Sequence, residues 1–118
     1  MAESSEDCVF CQIVAGEVPA DVVASSDSSI AFRDISPQAP THVLVVPRRH
    51  IDDAASVEPL HAEEVADLFV VARRVAESEG IRDSGYRLVV NVGRDAQNSV
   101  GHLHVHVIGG KPMGWPPG

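Results

Sequence analysis

Three histidines alternate with aliphatic residues near the end of the sequence, in the segment His102-Leu103-His104-Val105-His106-Val107-Ile108. Residues two apart in a β-strand lie on the same face, roughly 6 to 7 Å from each other. The pattern therefore predicts a strand with a row of three imidazoles on one face and a buried aliphatic face opposite. Because neutral imidazole can bind a metal, transfer protons or act as a nucleophile, we expect a functional site here.

One metal ion is not expected to bind the whole row. Nitrogen ligands lie about 2.0–2.1 Å from zinc, whereas His102 and His106 would be about 13 Å apart on a straight strand. One end of the row can therefore serve a metal while the rest serves a substrate. An imidazole that attacks phosphorus needs donors that neutralise the phosphoryl oxygens. The polar loop 93–99, which ends at Ser99, leads directly into the histidine strand and could supply them.

Cys8 and Cys11 form a Cys-x-x-Cys pair near the N-terminus. This spacing suits either a redox pair or half of a zinc site, which would need two further ligands. The first residues are acidic and lack the apolar stretch of a secretory signal, and no apolar run is long enough to span a bilayer. We therefore expect a cytoplasmic protein, in which a structural disulfide is disfavoured.

The sequence has 118 residues and a formal net charge of −8 with neutral histidines. This length suits one domain with one core, which we expect to span residues 7–118 after a flexible tail at 1–6. The charge argues against binding of nucleic acid or an anionic membrane through a broad basic surface. A small anion could still be held by backbone N–H groups and histidines.

The periodicity of apolar residues predicts the elements that must position these side chains. We expect a short helix, three strands, a long helix and two strands, at 7–15, 22–24, 29–33, 41–46, 58–79, 86–91 and 101–108. Because the helices do not alternate with the strands, the pattern indicates an α+β fold with a mostly antiparallel sheet. Asp7 and Ser56 are the expected N-caps of the two helices.

The long helix is expected to bury one apolar stripe. Its members are Val65, Leu68, Phe69, Ala72, Val75 and Ala76. His61 lies in the polar first turn, where we expect it to be exposed to solvent. The segment 109–118 is too rich in glycine and proline for regular structure, yet it carries Trp115, which suggests docking against a partner subunit.

The histidine segment resembles the His-x-His-x-His-x-x signature of the histidine triad superfamily of nucleotide hydrolases and transferases. The segments 32–42 and 85–91 and the ending Trp115-Pro116-Pro117-Gly118 are similar to its purine nucleoside phosphoramidase branch, the histidine triad nucleotide-binding proteins. The resemblance covers about residues 7–118. It implies a five-stranded antiparallel sheet with one short and one long helix. It also implies hydrolysis of purine nucleoside 5′-phosphoramidates to AMP or GMP and an amine, through a nucleotidyl-histidine intermediate.

The resemblance also implies roles for individual residues. His104 would attack the α-phosphorus, His106 and Ser99 would contact phosphoryl oxygens or the leaving group, and His42 would lie beside the triad. Asp34 would accept hydrogen bonds from the ribose hydroxyls. The remaining implied contacts are an apolar base pocket of Phe10, Phe32 and Ile35, and Asn91 near the phosphate and ribose.

Some family members bind zinc, and the resemblance places the corresponding ligands at Cys8, Cys11, His50 and His102. Two cysteines and two histidines satisfy a closed structural zinc site. The family usually forms homodimers, in which the Trp115 tail would lie near the partner's active site. The sequence departs from the family at Asn98, where a glutamine usually precedes the serine.

Other interpretations of the same residues remain open. Asp34 could cap its loop, Ser99 could be a turn residue, and His42 could bond to a backbone carbonyl. Phe10 and Phe32 could be core residues without ligand contact. A second enzymatic hypothesis is dinucleoside polyphosphate hydrolysis or nucleotidyl transfer by the same chemistry, and a third is a non-catalytic nucleotide-binding scaffold.

Overall fold

Five strands form one antiparallel sheet in the computed structural model, which describes residues 8–118. The helices and strands are α1 Val9–Val14, β1 Val22–Ser25, β2 Ser29–Arg33, β3 Thr41–Pro47, α2 Ala62–Ser78, β4 Tyr86–Val89 and β5 Val105–Gly109. The strand order across the sheet is β1-β2-β3-β5-β4, so β4 lies at one edge. The structure confirms the α+β class, with one short and one long helix. Among the described residues, no helix is long and apolar enough to cross a membrane.

The two faces of the sheet have separate apolar clusters. On one face, α2 packs against alternate residues of the central strands, including Ala31, Val43 and Val105. On the other face, Phe10 packs against the residues between them, including Phe32 and Leu44. Because neighbouring strand residues point to opposite faces, β3 is buried along its whole length. The same alternation places His106 of β5 on the face that carries Phe10.

The histidine strand is shorter than predicted, since β5 begins at Val105 and His102 and His104 precede it. The partner strand β3 ends at Pro47, which has no N–H to donate to a ladder. The backbone N–H of Leu103 instead bonds to the carbonyl of Ile51, at 2.6 Å. Leu103 nevertheless belongs to the same apolar cluster as Val105. The alternation predicted for the triad therefore holds without regular strand geometry.

The start of the long helix also differs from the prediction. Ser56 ends a separate 3-10 turn, Ala54–Ser56, and is not the N-cap. A second 3-10 turn, Pro59–His61, precedes α2. Here the ring Nδ1 of His61 accepts a hydrogen bond from the backbone N–H of Glu58, at 2.9 Å. His61 is therefore half-buried and has a capping role, contrary to the expectation of a solvent-exposed side chain.

The buried stripe of α2 is rotated from the predicted one. Phe69 is 46% exposed and Val65 only half-buried, whereas Val71 is fully buried. The buried residues are Leu68, Val71, Ala72, Val75 and Ala76. Both stripes have helical spacing in the sequence, and the contact with the sheet selects the one with smaller side chains.

Cys8 is the N-cap of α1, and its sulfur accepts a hydrogen bond from the backbone N–H of Cys11, at 3.3 Å. The expected cap Asp7 and the expected tail at 1–6 lie outside the described residues. Gly109, expected in the irregular tail, is instead the buried last residue of β5. A Cβ at Gly109 would lie 2.7 Å from Cδ1 of Ile81 and 3.1 Å from Cβ of Tyr86, so a larger residue there would require these neighbours to shift.

Asp67 of α2 ties the helix to the turn between β1 and β2. Its Oδ2 accepts hydrogen bonds from the hydroxyls of Ser26, Ser28 and Ser29, at 2.5, 2.9 and 2.7 Å. Burial raises the pKa of Asp67, but the three hydroxyl donors outweigh it, so its pKa lies below the ordinary value. The carboxylate therefore remains charged and holds the hairpin against the helix.

We expect Asp67→Ala to lower the free energy of unfolding by about 2 kcal/mol, because it leaves the buried Ser29 hydroxyl without its acceptor. Urea unfolding measures the change. Asp95→Ala is the matched control, since Asp95 is exposed and, within residues 8–118, pairs only with the exposed Arg94, and it should change stability by less than about 0.5 kcal/mol. Equal effects of the two variants would contradict a structural role for the Asp67 cluster.

Candidate active site and metal centre

A cavity of about 640 Å³ lies on the sheet face that carries Phe10. Its wall is mostly apolar, with contributions from α1 (Val9, Phe10 and Ile13), from Phe32 and from Val100. Its polar lining includes Asp34, Ser99, His104 and His106. A cavity of this size with few convergent polar groups has the character of a small-molecule site.

The structure brings most of the predicted substrate-binding residues to this cavity. The residues that line it are Phe10, Phe32, Asp34, Ile35, Ser99, His104 and His106. Asn91 and His42 are not among the lining residues described. Asn98 is not either, and its Oδ1 is buried without a hydrogen-bond partner within residues 8–118. Phe10 and Phe32 meet edge to face at 5.4 Å and serve the core and the cavity wall together.

The ring of His104 is held by a backbone carbonyl. Its Nδ1 lies 2.7 Å from the carbonyl oxygen of His102, which can only accept, so Nδ1 carries the proton. Phe10 packs edge-on against the same ring, at 5.2 Å and 85°. In the neutral ring the lone pair of Nε2 is then available. His104 is therefore a buried imidazole with the orientation and tautomer of a nucleophile.

A backbone N–H determines the tautomers of His42 and His106. The N–H of Gln38 donates to Nδ1 of His42, at 3.0 Å, so the proton of a neutral His42 ring is on Nε2. This Nε2 lies 2.9 Å from Nδ1 of His106, which must accept. The remaining proton of a neutral His106 ring is therefore on Nε2. His106 thus presents a donor, whereas His104 presents a lone pair.

Burial keeps His106 uncharged at neutral pH. Desolvation lowers its pKa to about 4, with help from the neighbouring His104 and His42 and a smaller opposing effect of Asp34. A positive charge on His106 would face two other imidazoles, which explains the direction of these contributions. The hydrogen-bond chain from Gln38 therefore ends at a neutral His106 ring at pH 7.

Asp34 joins the loop, the cavity and His42. Its Oδ1 accepts from the backbone N–H of Ser36, at 2.7 Å, which is the loop-capping role considered above. Its Oδ2 lies 3.4 Å from Nε2 of His42 while the residue also lines the cavity. The capping and ligand-binding roles are therefore compatible. The alternative for His42 is corrected, since its ring accepts from a backbone N–H rather than donating to a carbonyl.

Four candidate metal ligands lie together, and their ligand atoms are all within 4.8 Å of one another. We call this group the metal cluster; its members are Cys8, Cys11, His50 and His102. Nδ1 of His102 is 3.2 Å from the Cys8 sulfur and 3.5 Å from the Cys11 sulfur. Nδ1 of His50 is 3.2 Å from the Cys11 sulfur. Tetrahedral zinc places neighbouring sulfur and nitrogen ligands about 3.5 Å apart. The donor set and its spacing therefore fit one metal ion.

Both imidazoles of this cluster are oriented by acceptors on their far sides. Nε2 of His102 donates to the carbonyl of Pro47, and Nε2 of His50 to the carboxylate of Asp52, each at 2.9 Å. Each Nδ1 therefore presents its lone pair to the cysteines. Burial lowers the pKa of His102 to about 4, which keeps this ring neutral. Sequence reasoning missed Asp52, although its position two residues after His50 was a usable signal.

A second group, Asp34, His42 and His106, also has ligand atoms in reach of one another. A metal there would need the Nε2 lone pair of His42. That nitrogen must carry the proton as long as the Gln38 N–H donates to Nδ1. Within residues 8–118, the metal cluster is therefore the better candidate to hold a metal ion.

The open edge of the sheet and the C-terminal segment leave apolar side chains at the surface. Leu88 of β4 and the following Val90 and Val92 are all exposed. Trp115 is 83% exposed and lies 5.9 Å from the Arg87 guanidinium. Exposed apolar residues beside an unpaired strand edge are typical of an interaction surface.

Comparison with known proteins places the geometry in a family. Residues 15–113 match the model of the HIT domain. The chain is 42% identical to the purine nucleoside phosphoramidase of Escherichia coli K12 over 110 residues, which is 93% of this chain and 92% of the relative. It is 40% identical to an uncharacterized HIT-like protein of Synechococcus elongatus, covering 97% of this chain and 99% of the relative.

Solved structures agree with the sequence relatives. A HIT family hydrolase from Legionella pneumophila superposes with a TM-score of 0.92 at 45% identity, covering 95% of this chain and 100% of the other. A histidine triad protein from Clostridium difficile superposes with a TM-score of 0.89 at 36% identity, covering 97% of each chain. The chain belongs to the HIT domain family and is a HIT-family hydrolase.

Proposed function

We propose that the protein hydrolyses purine nucleoside 5′-phosphoramidates through a nucleotidyl-histidine intermediate. The main support is the geometry of the His104 ring. It lines the cavity, and its Nδ1–H donates to the His102 carbonyl. In the neutral ring this leaves the Nε2 lone pair as the nucleophile. The E. coli relative, whose name states this activity, supports the choice of leaving group and base.

In the proposed reaction, the Nε2 lone pair of His104 attacks the α-phosphorus and forms a P–N bond. The bond from phosphorus to the substrate nitrogen breaks, its electron pair stays on that nitrogen, and a solvent proton completes the amine. Water then attacks the phosphorus and releases its proton to solvent. Cleavage of the bond to His104 frees the nucleoside monophosphate and restores the Nε2 lone pair.

The neighbouring polar groups would hold the substrate during these steps. The Nε2–H of His106 and the hydroxyl of Ser99 would donate to phosphoryl oxygens or the leaving group. His42 would act through its hydrogen bond to His106, at 2.9 Å, by fixing the tautomer of that ring. Asn91 would contact the phosphate and ribose from its position after β4.

The rest of the cavity suits a nucleoside. Phe10, Phe32 and Ile35 would cover a purine base, and Ile35, which is almost fully exposed, could close over it. Asp34 keeps one carboxylate oxygen near His42 and lines the cavity, so it could accept hydrogen bonds from ribose hydroxyls. An apolar pocket favours purines by their larger stacking area.

We expect His104→Asn to reduce kcat/KM for adenosine 5′-phosphoramidate by at least about 10³-fold, because the nucleophile is lost. Chromatography measures the rate as the amount of AMP released over time. His61→Asn is the matched control, since His61 lies outside the cavity and the metal cluster, and should retain activity. Acid-labile labelling of His104 by the nucleotide should disappear in the first variant only.

The same assay separates the alternative functions. AMP from diadenosine polyphosphates, but not from phosphoramidates, would favour the polyphosphate hydrolase or nucleotidyl transferase. AMP from neither substrate, with nucleotide binding intact, would favour the non-catalytic scaffold.

We further propose that Cys8, Cys11, His50 and His102 hold a structural zinc ion. When bound, such an ion links α1, the segment after β3 and the start of the catalytic strand. The presence of two correctly oriented imidazoles supports a metal site over a simple redox pair of cysteines. Asp52 would fix the tautomer and orientation of His50, and such partners commonly affect metal affinity.

Protein purified without chelator should contain about one zinc per chain, as four protein ligands form one closed site. Asp52→Ala should weaken zinc binding by about tenfold, the lower end of the usual effect, because the Asp52 side chain is 73% exposed. Competition with a chromophoric chelator measures the affinity, and Asp83→Ala, a change to an exposed aspartate elsewhere, is the control. A zinc content near zero would refute the site, and unchanged affinity would refute the role of Asp52.

We propose a homodimer that pairs at the β4 edge, with the Trp115 segment near the partner's active site. The exposed Leu88, Val90 and Val92 beside this edge support the proposal. A second copy could satisfy the open hydrogen-bonding groups of β4 and cover these side chains.

Val90→Glu should convert the dimer to a monomer, because it puts a charge into the apolar interface. Sedimentation analysis measures the molecular mass. Val22→Glu is the matched control, since Val22 is an exposed valine of β1 at the opposite edge, and should leave the mass unchanged. A monomeric wild-type protein, or dissociation by both variants, would contradict pairing at β4.

A further inference from the structure

The short helix α1 belongs to both sites at once. Cys8 caps the helix and Cys11 lies within it, and both are members of the metal cluster. On the same helix, Val9, Phe10 and Ile13 form a wall of the cavity. With six residues, α1 is too short to be stable alone, so its position depends on what its side chains bind.

Phe10 connects the two sites by direct packing. Its ring meets the ring of His102, a member of the metal cluster, at 5.9 Å. It also meets the ring of His104, at 5.2 Å, and the base-pocket residue Phe32, at 5.4 Å. A displacement of α1 would therefore change the metal cluster, the cavity wall and the support of His104 together.

A backbone contact gives a second connection. His102 faces the cysteines with its ring Nδ1. Its backbone carbonyl accepts a hydrogen bond from Nδ1 of His104, at 2.7 Å. The main chain of one cluster member thus orients the catalytic ring.

Neither shared lining residues nor charge can couple the two sites. None of the four cluster residues, all within the described part of the chain, lines the cavity. Two thiolates and two neutral imidazoles around a divalent cation have a net charge of zero, so the electrostatic effect on a bound phosphate is small. Any coupling must therefore pass through the packing of α1 and the backbone at His102.

We propose that metal and nucleotide bind cooperatively, with α1 and Phe10 as the coupling element. Metal binding fixes α1 and thereby forms the base-binding wall, and a bound nucleotide fixes the same wall and favours the metal. Linkage requires that each ligand raise the affinity for the other by the same factor. This inference rests on the proposed metal site and nucleotide pocket and adds regulation of the second by the first.

The test measures both sides of this linkage with Zn²⁺ and GMP. Zinc affinity of chelator-stripped full-length protein is measured by chelator competition, with and without saturating GMP. GMP affinity is measured by calorimetry, with and without zinc. We expect GMP to raise zinc affinity on the order of tenfold, and zinc to raise GMP affinity by an equal factor.

Phe10→Leu and Val14→Ala separate the coupling route from general loosening of α1. Both residues pack in the same apolar cluster, but only Phe10 lines the cavity. Phe10→Leu should reduce the coupling factor towards one. The variant also weakens GMP binding, but this loss cancels in the coupling factor, which is a ratio of two affinities of the same variant. Val14→Ala should leave the factor unchanged.

Each other outcome overturns the proposal in a distinguishable way. An equal zinc affinity with and without GMP refutes the coupling but does not contradict the phosphoramidase activity or the metal site. Absence of zinc binding refutes the metal site itself, and absence of GMP binding refutes the nucleotide pocket. Loss of the folded circular dichroism spectrum on zinc removal would show that zinc acts on global folding, which refutes the specific route through α1.

Discussion

A neutral imidazole has one donor nitrogen and one acceptor nitrogen, and this constraint organises the whole site. Three backbone groups determine which nitrogen of a ring donates a hydrogen bond and which accepts one. The carbonyls of Pro47 and His102 accept hydrogen bonds from the rings of His102 and His104, and the N–H of Gln38 donates to Nδ1 of His42. In neutral rings His102 and His104 each keep one lone pair, whereas the Nε2–H of His42 donates to Nδ1 of His106. The result is a lone pair on His102 that faces Cys8 and Cys11, a lone pair on Nε2 of His104 and a hydrogen-bond donor on Nε2 of His106.

The sheet that carries these rings has two unlike faces. The face under α2 holds the tightly packed aliphatic core, which contains Val43, Val105 and Leu103. The opposite face is free to carry the histidines, the aromatic pair and the cavity. Strand alternation therefore places the aliphatic core and the histidines on opposite faces of one sheet. The short helix α1 covers the functional face and joins the metal cluster to the cavity wall.

Much of this arrangement could be predicted from the sequence. Strict alternation identified the face of the triad, and the motifs identified the family fold and the four members of the metal cluster. The errors lie where two local patterns compete. Phe69 and Val71 both fit a helical stripe, and the sheet selects the smaller side chain. Ser56 has the right type for an N-cap, but the two 3-10 turns before α2 move the start of the helix beyond it. The histidine strand begins late because Pro47 interrupts the ladder opposite.

By itself, the sequence determined the residue types, their spacing and hence the class of chemistry, because periodicity and covalent order are local properties. The resemblance to the histidine triad family, rather than the spacing, selected Cys8, Cys11, His50 and His102 as a set whose residue types suit one metal. Only the tertiary structure decided that Nε2 of His42 meets Nδ1 of His106 and that Phe10 touches both His102 and His104. Such contacts depend on the relative placement of separate segments to within an ångström. That placement results from packing of the whole fold and has no signature in any one segment.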